Sequence, residues 1–299
     1  MVSDRPAPVT TATLSAQPNA AGWHKEAVTV RLDAVDETGG TGVKWIQYQL
    51  DLGELLKAIS SLALVEISGE GLTTLTYYAT DNAGNVETAK TLTVKIDKTP
   101  PVITVTVTPA APGSNGWYNQ TTGRPTVSFT CQDPAPGSGI SGTCPAPIAV
   151  PDGASQTGTV TVRDVAGNSS TVQWGPLNVD TRALTISGLP EAGCTLWPPN
   201  HQLVQVATVS ASAGLSGLAT FNVTGVSTEP ENGLGDGDTG PDIVITGSGL
   251  NPRVVQLRAE RAGSGPGRVY TLTASAISAA GNVVESSAKC TVPPDQSTK

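Results

Sequence analysis

The chain has 299 residues, of which 38% are apolar, 4% aromatic and 14% charged, with 33 glycines and 23 prolines. So large a share of helix-breaking residues excludes a helical bundle, and the length allows two or three packed cores. Seventeen Lys and Arg against 25 Asp and Glu leave a net charge of −8, a field that repels nucleic acid and anionic lipid and draws cations.

No apolar run reaches the roughly 18 residues needed to cross a bilayer, so no membrane insertion is expected. The opening Met1-Val-Ser-Asp-Arg-Pro-Ala-Pro lacks the apolar core of a signal peptide. A secreted protein is therefore expected to be represented here by an internal or C-terminal piece.

In chain order, the first feature is Gly22-Trp-His-Lys, followed by an alternating run at 28–35. Alternation of apolar and polar residues gives a strand one buried face. Gly53-Glu-Leu-Leu-Lys-Ala-Ile-Ser-Ser-Leu-Ala-Leu64 has apolar residues at helical spacing and is the best helix candidate, a turn or two inserted between strands. Alternating runs at 72–80 and 86–96 flank Asp81-Asn-Ala-Gly-Asn85, whose Gly and Asn accept the positive φ of a tight turn, so a hairpin is expected. Asp97-Lys-Thr-Pro-Pro101 then reads as a junction, because proline stops strand pairing from running through it.

The same order returns. A run at 102–108 precedes Gly116-Trp-Tyr-Asn, Thr126-Val-Ser-Phe-Thr-Cys131 and a hairpin around Asp164-Val-Ala-Gly-Asn168, closing at Asp180-Thr-Arg182. A third copy carries Leu196-Trp-Pro-Pro-Asn-His201 before Leu203-Val-Gln-Val-Ala-Thr-Val, then a hairpin around Ser278-Ala-Ala-Gly-Asn282. Trp23, Trp117 and Trp197 fall at equivalent places and read as core or interface anchors. The prediction is an all-β chain of three tandem antiparallel β-sandwiches at 1–99, 100–181 and 182–299, which the resemblance given below makes immunoglobulin-like.

Cys131, Cys144, Cys194 and Cys290 allow three pairings. Pairing within repeats, Cys131 with Cys144 and Cys194 with Cys290, is the expectation, and it implies an oxidising compartment. No close ligand pair such as C-x-x-C is present to favour zinc.

Two carboxylate sets invite a cation. Glu229-Pro-Glu231-Asn-Gly-Leu-Gly-Asp236-Gly-Asp238-Thr-Gly-Pro-Asp242 holds five carboxylates in fourteen residues. Calcium takes six to eight oxygens and tolerates irregular loops, so Glu229, Glu231, Asp236, Asp238 and Asp242 are candidate ligands, with a solvated acidic loop as the alternative. In a sandwich, the loop after the second strand and the last hairpin lie at the end where the chain enters, which turns Asp133 and Asp164 toward Asp97. Asp36, Glu37 and Asp81 form the matching set in the first repeat. Here the alternative is an aspartate that caps its own turn without a metal.

Units one and two resemble the bacterial immunoglobulin-like repeats found in tandem on surface and secreted proteins, marked here by Gly-Trp, Gln49-Leu-Asp51, Asp-Asn-Ala-Gly-Asn and Asp-Lys-Thr-Pro-Pro. The third resembles a C-terminal immunoglobulin/PKD-like module of secreted bacterial proteins. It carries Leu196-Trp-Pro-Pro-Asn-His201, the 229–242 acidic run, Leu257-Arg-Ala-Glu-Arg261 and Gly267-Arg-Val-Tyr270. These resemblances imply extracellular spacer and adhesion modules and imply no reaction.

The residues give no opposing sign. His24 and His201 fall in different repeats, and there is no G-x-S-x-G, H-E-x-x-H or G-x-x-x-x-G-K-[ST]. His201 is expected to pack on Trp197 or cap backbone groups. The expected protein is a non-catalytic, calcium-stiffened structural array outside the cell, whose partners are the other domains of a parent protein. An adhesin or carbohydrate-binding array for a polysaccharide or cell-surface ligand is one alternative, and an accessory region of a secreted hydrolase is another.

Overall fold

The computed structural model describes residues 6–232 and 239–294. Among them every regular element is a strand. β1 (Val9–Leu14), β2 (Trp23–His24), β3 (Val28–Val35), β4 (Val43–Leu50), β5 (Leu56–Ala58), β6 (Leu62–Ile67), β7 (Gly71–Asp81) and β8 (Lys90–Ile96) build two sheets, ordered β1-β3-β6 and β2-β8-β7-β4-β5. β9 (Val102–Thr108), β10 (Trp117–Tyr118), β11 (Thr126–Gln132), β12 (Ile148–Ala149), β13 (Gly153–Arg163) and β14 (Ser169–Val179) build β12-β11-β9 and β10-β14-β13. β15 (Thr185–Ser187), β16 (Cys194–Thr195), β17 (Leu203–Ser212), β18 (Leu218–Ser227), β19 (Ile243–Thr246), β20 (Arg253–Arg258), β21 (Arg268–Ser278) and β22 (Val283–Val292) build β15-β17-β20-β19 and β16-β22-β21-β18.

Two compact units divide the chain, one of residues 1–105, 129–146 and 159–173, the other of 106–128, 147–158 and 174–299. In the first, period-2 alternation puts Val28, Val30 and Leu32 of β3 on one buried face, with Val65 and Ile67 of β6 beside them. They pack on Ile46, Leu75, Val94 and Ile96 of the other sheet, giving a two-layer core. In the second, Val209, Val255 and Leu257 meet Phe221, Val223, Leu272 and Ala274 in the same manner. The hairpin turns are built as their residues require: Gly84, Gly167 and Gly281 have φ of 96°, 98° and 85°.

Three sequence expectations are corrected. The stretch 53–64 forms no helix. Leu56–Ala58 pairs with β4 and Leu62–Ile67 with β3, while Leu55, Leu56, Ile59, Leu62 and Leu64 stay exposed. A helix this short carries the full nucleation cost and loses to strand pairing with preformed neighbours. Trp197 is not equivalent to Trp23 and Trp117. Those two open short strands that pair in parallel with β8 and β14, whereas the matching strand of the third copy is Cys194–Thr195, parallel to β22. Trp197 lies two residues further on and is 41% exposed.

The third correction concerns the run 86–96. Val86 makes only an isolated bridge to Thr80, and β8 starts at Lys90. The reason is Glu87, which turns inward. Its carboxylate accepts from Thr10 N at 2.8 Å, Thr10 Oγ1 at 2.6 Å and Ala79 N at 3.0 Å, and pairs with Lys90 at 2.7 Å. Glu87→Ala strands two buried N–H donors and is expected to cost about 3 kcal/mol in a urea titration. A loss below about 1 kcal/mol would mean that this carboxylate does not tie β1 to β7.

Cys131 is joined to Cys144, 13 residues apart, and Cys194 to Cys290, 96 residues apart. The second bond sits on the directly paired residues of β16 and β22.

Candidate functional site

Asp97 directly follows β8, Asp133 directly follows β11, and Asp164 opens the turn between β13 and β14. One carboxylate oxygen from each lies within 4.8 Å of the other two. All three belong to the first compact unit. Asp97 and Asp164 are buried and Asp133 is half-buried.

Backbone donors hold each acid in place. Asp97 Oδ2 accepts from Ser138 N at 2.7 Å and Oδ1 from Thr99 N at 3.1 Å. Asp164 Oδ1 accepts from Gly167 N at 2.6 Å and Asn168 N at 2.8 Å, and Oδ2 from the Asn168 amide at 2.9 Å. That same amide donates to the Asp97 carbonyl at 2.8 Å, so Asn168 ties the last hairpin to the entering chain. Asp133 Oδ2 accepts from Gly139 N, and Oδ1 is buried without a hydrogen-bond partner. The loop must curl tightly under this carboxylate. A Cβ on Gly137 would stand 2.5 Å from Asp133 Oδ2 and 2.7 Å from the Pro134 carbonyl.

Burial pushes the Asp133 carboxyl above its usual range. The Gly139 N–H opposes this, and the negative charges of Asp97, Asp164 and Glu70 add to it. Three converging acids, an orphaned buried oxygen and a proton held more tightly than usual describe a hard-oxygen donor set short of positive charge. These residues fit a calcium ion, which would take the carboxylate oxygens and lift the repulsion.

A second copy of the geometry, in the other unit, provides an internal comparison. Asp180 Oδ2 accepts from Ser216 N at 2.8 Å, Oδ1 from Arg182 N at 3.2 Å, and its carbonyl from the Asn282 amide at 2.8 Å. Here Ser278 stands where Asp164 does, its Oγ accepting from Asn282 N at 3.0 Å. With one carboxylate and no like-charge crowding, hydrogen bonds suffice. Asp36, Glu37 and Asp81 form no comparable cluster among the described residues. Asp36 Oδ2 accepts from Gly42 N at 2.7 Å, and the Asp81 carboxylate from Asn85.

The acidic run 229–242 is placed in part. Asp236 and Asp238 lie outside the described residues, and Glu231 is exposed. Glu229 and Asp242 turn inward onto Arg268, a fully buried guanidinium. Arg268 Nε donates to Glu229 Oε2 at 3.1 Å, Nη1 to Asp242 Oδ2, and Nη2 to the Pro230 carbonyl at 3.2 Å. Glu260, also fully buried, lies 3.5 Å from Arg268 Nη1 and 3.2 Å from His201 Nδ1. Arg258 donates to the carbonyls of Pro241 and His201 at 2.9 and 2.7 Å. His201 Nδ1 thus lies against the buried Glu260 carboxylate, whereas the sequence suggested packing on Trp197 or capping of backbone groups. Burial, helped by Asp242, raises Glu260 to about 7, against the lowering pull of His201 and Arg268.

Sequence reasoning missed this cluster, though one signal was there. Arg268 shares strand parity with Tyr270, Leu272, Ala274 and Ala276, all buried, so alternation alone directs its side chain inward.

No family model matches the chain, and no curated protein does. Several solved structures are similar at low identity. Protocadherin Gamma B2 extracellular cadherin domains 3–6 share 12% identity at a TM-score of 0.32, covering 97% of this chain and 78% of that one. A tetra-tandem repeat from the extending region of a large adhesion protein shares 16% at 0.30, covering 97% and 75%. Fibronectin(III)-like modules of Clostridium thermocellum CbhA share 12% at 0.23, covering 95% and 94%. At these values the likeness transfers no ligand, residue role or activity to this chain.

Proposed function

We propose that the chain is a non-catalytic structural array of three immunoglobulin-like sandwiches, at 1–99, 100–181 and 182–299, within a larger extracellular or cell-surface protein of bacterial type. Calcium held by Asp97, Asp133 and Asp164 stiffens it where the chain passes Asp97. The observation that carries this reading is the convergence of three acids around an orphaned buried oxygen, with Asn168 joining hairpin to linker. The two disulfides support an oxidising compartment. At 229–242, Arg268 already meets the charge of Glu229 and Asp242, which favours the Asp97 cluster over that run as the calcium site in this reading.

Calorimetric melting tests the reading. With a dissociation constant of about 0.1 mM, as in extracellular calcium modules, about 1 mM calcium adds about 1.4 kcal/mol to the first compact unit. Asp133→Asn abolishes that gain, and in EDTA it melts no lower than the wild type, since a repelling charge has gone. Asp180→Asn leaves the calcium response intact. The response weakens on acidification, because Asp133 takes up its proton at a higher pH than an ordinary aspartate. Equal curves with calcium and EDTA in the wild type would remove calcium from the account.

A further inference from the structure

β6 is an open edge of the first compact unit. It ends the sheet β1-β3-β6, β5 ends the sheet packed against it, and the chain passes from β5 to β6 through Ile59, Ser60 and Ser61 alone. Both edges therefore lie on one side of the sandwich. Ala34 N donates to the Ser61 carbonyl at 2.8 Å. Hydrogen-bonded pairs alternate in an antiparallel ladder, so Leu32 with Ala63 and Val30 with Val65 are bonded pairs too. Across β3, Ser15 N meets the Thr29 carbonyl at 2.9 Å, which assigns the odd residues of β3 to β1 and agrees with the even ones bonding to β6. The N–H and C=O groups of Leu62, Leu64 and Glu66 thus point away from the sheet. Leu62 N donates to the Ser60 hydroxyl, outside the ladder, at 3.1 Å.

The strand carries no guard on this edge. Exposed edges are ordinarily blunted by lysine, proline, a bulge or an inward charge. Leu62-Ala-Leu-Val-Glu-Ile67 has none of these, and its register with β3 is unbroken. Other long edge strands turn threonine outward, Thr11 and Thr13 in β1 and Thr104 and Thr106 in β9, where β6 turns out Leu62 and Leu64. Leu64 is 62% exposed, Ile59 84% and Leu52 98%. With Leu55, Leu56 and Leu62 they show about 600 Å² of apolar surface, the upper end of what a monomer carries in its largest patch.

The sequence of β6 is complementary to itself. Its outward groups sit on even residues, so a second strand bonds to them only in registers that pair even with even. One such register places Ala63 opposite the partner's Ala63. It sets Leu62 against the partner's Leu64, Leu64 against the partner's Leu62, and Glu66 against the partner's Ser60, whose hydroxyl can donate to the carboxylate. No like charges face one another. Burying the patch on both copies removes about 1,200 Å² from water, the lower bound of a specific interface. Each copy spends its open edge, so the pairing closes at two.

We propose that β6 pairs antiparallel with β6 of a second copy of this chain, across a two-fold axis at Ala63, joining two β1-β3-β6 sheets into one. The interface uses no residue of the calcium cluster, and either can fail without the other.

Sedimentation equilibrium of the full chain is the test, with dimer expected to dominate at about 100 µM. Leu64→Lys, at an exposed position, is expected to melt like the wild type and to weaken the dimer at least about tenfold. Val9→Lys, an exposed change at the opposite edge of the same sheet, is expected to leave the dimer unchanged. Ala63→Cys reads the register. The four native cysteines are all bonded, so its thiol is the one free to react, and mild oxidation is expected to crosslink it at least about tenfold faster than Leu72→Cys, exposed elsewhere in the unit. A chain that stays monomeric, assemblies larger than two, Leu64→Lys associating as the wild type does, or an Ala63→Cys dimer that fails to crosslink would each overturn the proposal.

Discussion

Arg268→Met is expected to lower the stability of the C-terminal unit by about 3–5 kcal/mol at pH 7.5, the cost of breaking a buried ion pair from one side. The guanidinium is fully buried, and the carboxylates of Glu229, Asp242 and Glu260 surround it. Methionine preserves much of the stem and removes the charge, leaving Asp242 and Glu260 with Arg258 as a more distant cationic partner. The deficit should shrink on acidification. Loss of the arginine removes a charge that pulls the Glu260 carboxyl down, and a raised carboxylate pKa costs most above that pKa and least below the unfolded value.

The wild type shows the same sign at Glu260. Its folded pKa, about 7 against 4.5 for the ordinary group, means that the folded state holds the proton more tightly. Its contribution is fully present below pH 4.5 and is lost as pH rises to about 7. Denaturant titrations of both proteins at pH 5 and 7.5 check this. A deficit that stays constant between the two pH values would mean that Arg268 acts by packing alone.

The second large effect belongs to the Cys194–Cys290 bond. It closes a span of 96 residues, for which chain entropy predicts about 4–5 kcal/mol. The Cys131–Cys144 bond spans 13 residues, for which the same relation gives about 3 kcal/mol. Cys290 is fully buried and directly opposite Cys194, so the bond pins the short parallel strand β16 onto β22. Cys194→Ala/Cys290→Ala is therefore expected to destabilise more than Cys131→Ala/Cys144→Ala, and reduction of the wild type to reproduce both. Equal losses from the two pairs would show that local strand contacts, and not loop closure, decide the outcome.

Much of this was legible before the structure. Alternation located β3 and β7, because one buried face per strand is a local rule that tertiary context seldom overturns, and the repeated turn located the hairpins β13–β14 and β21–β22. The Ala-Gly-Asn turns were legible because glycine at positive φ has few substitutes. Stretch 53–64 misled because helical spacing over twelve residues is also what two short edge strands with outward leucines can show. Trp197 misled because similarity of residue type was read without the strand pairing that defines equivalence. Glu87 and Arg268 were hidden for a different reason. A charged residue reads as solvated unless its parity is checked and its partners, 77 residues away for Thr10 or 39 and 26 for Glu229 and Asp242, are known. The acidic trio was within reach because the end where a sandwich receives its chain gathers the linker, the loop after the second strand and the last hairpin, and here each of the three carries an aspartate.

That convergence is where the account is most exposed to experiment. Crystals grown with saturating calcium, measured for anomalous scattering, are expected to show a peak at about 2.3–2.6 Å from carboxylate oxygens of Asp97, Asp133 and Asp164. The Asp180 and Ser278 pair is expected to show none. Saturated crystals with no density among those three aspartates would contradict the account.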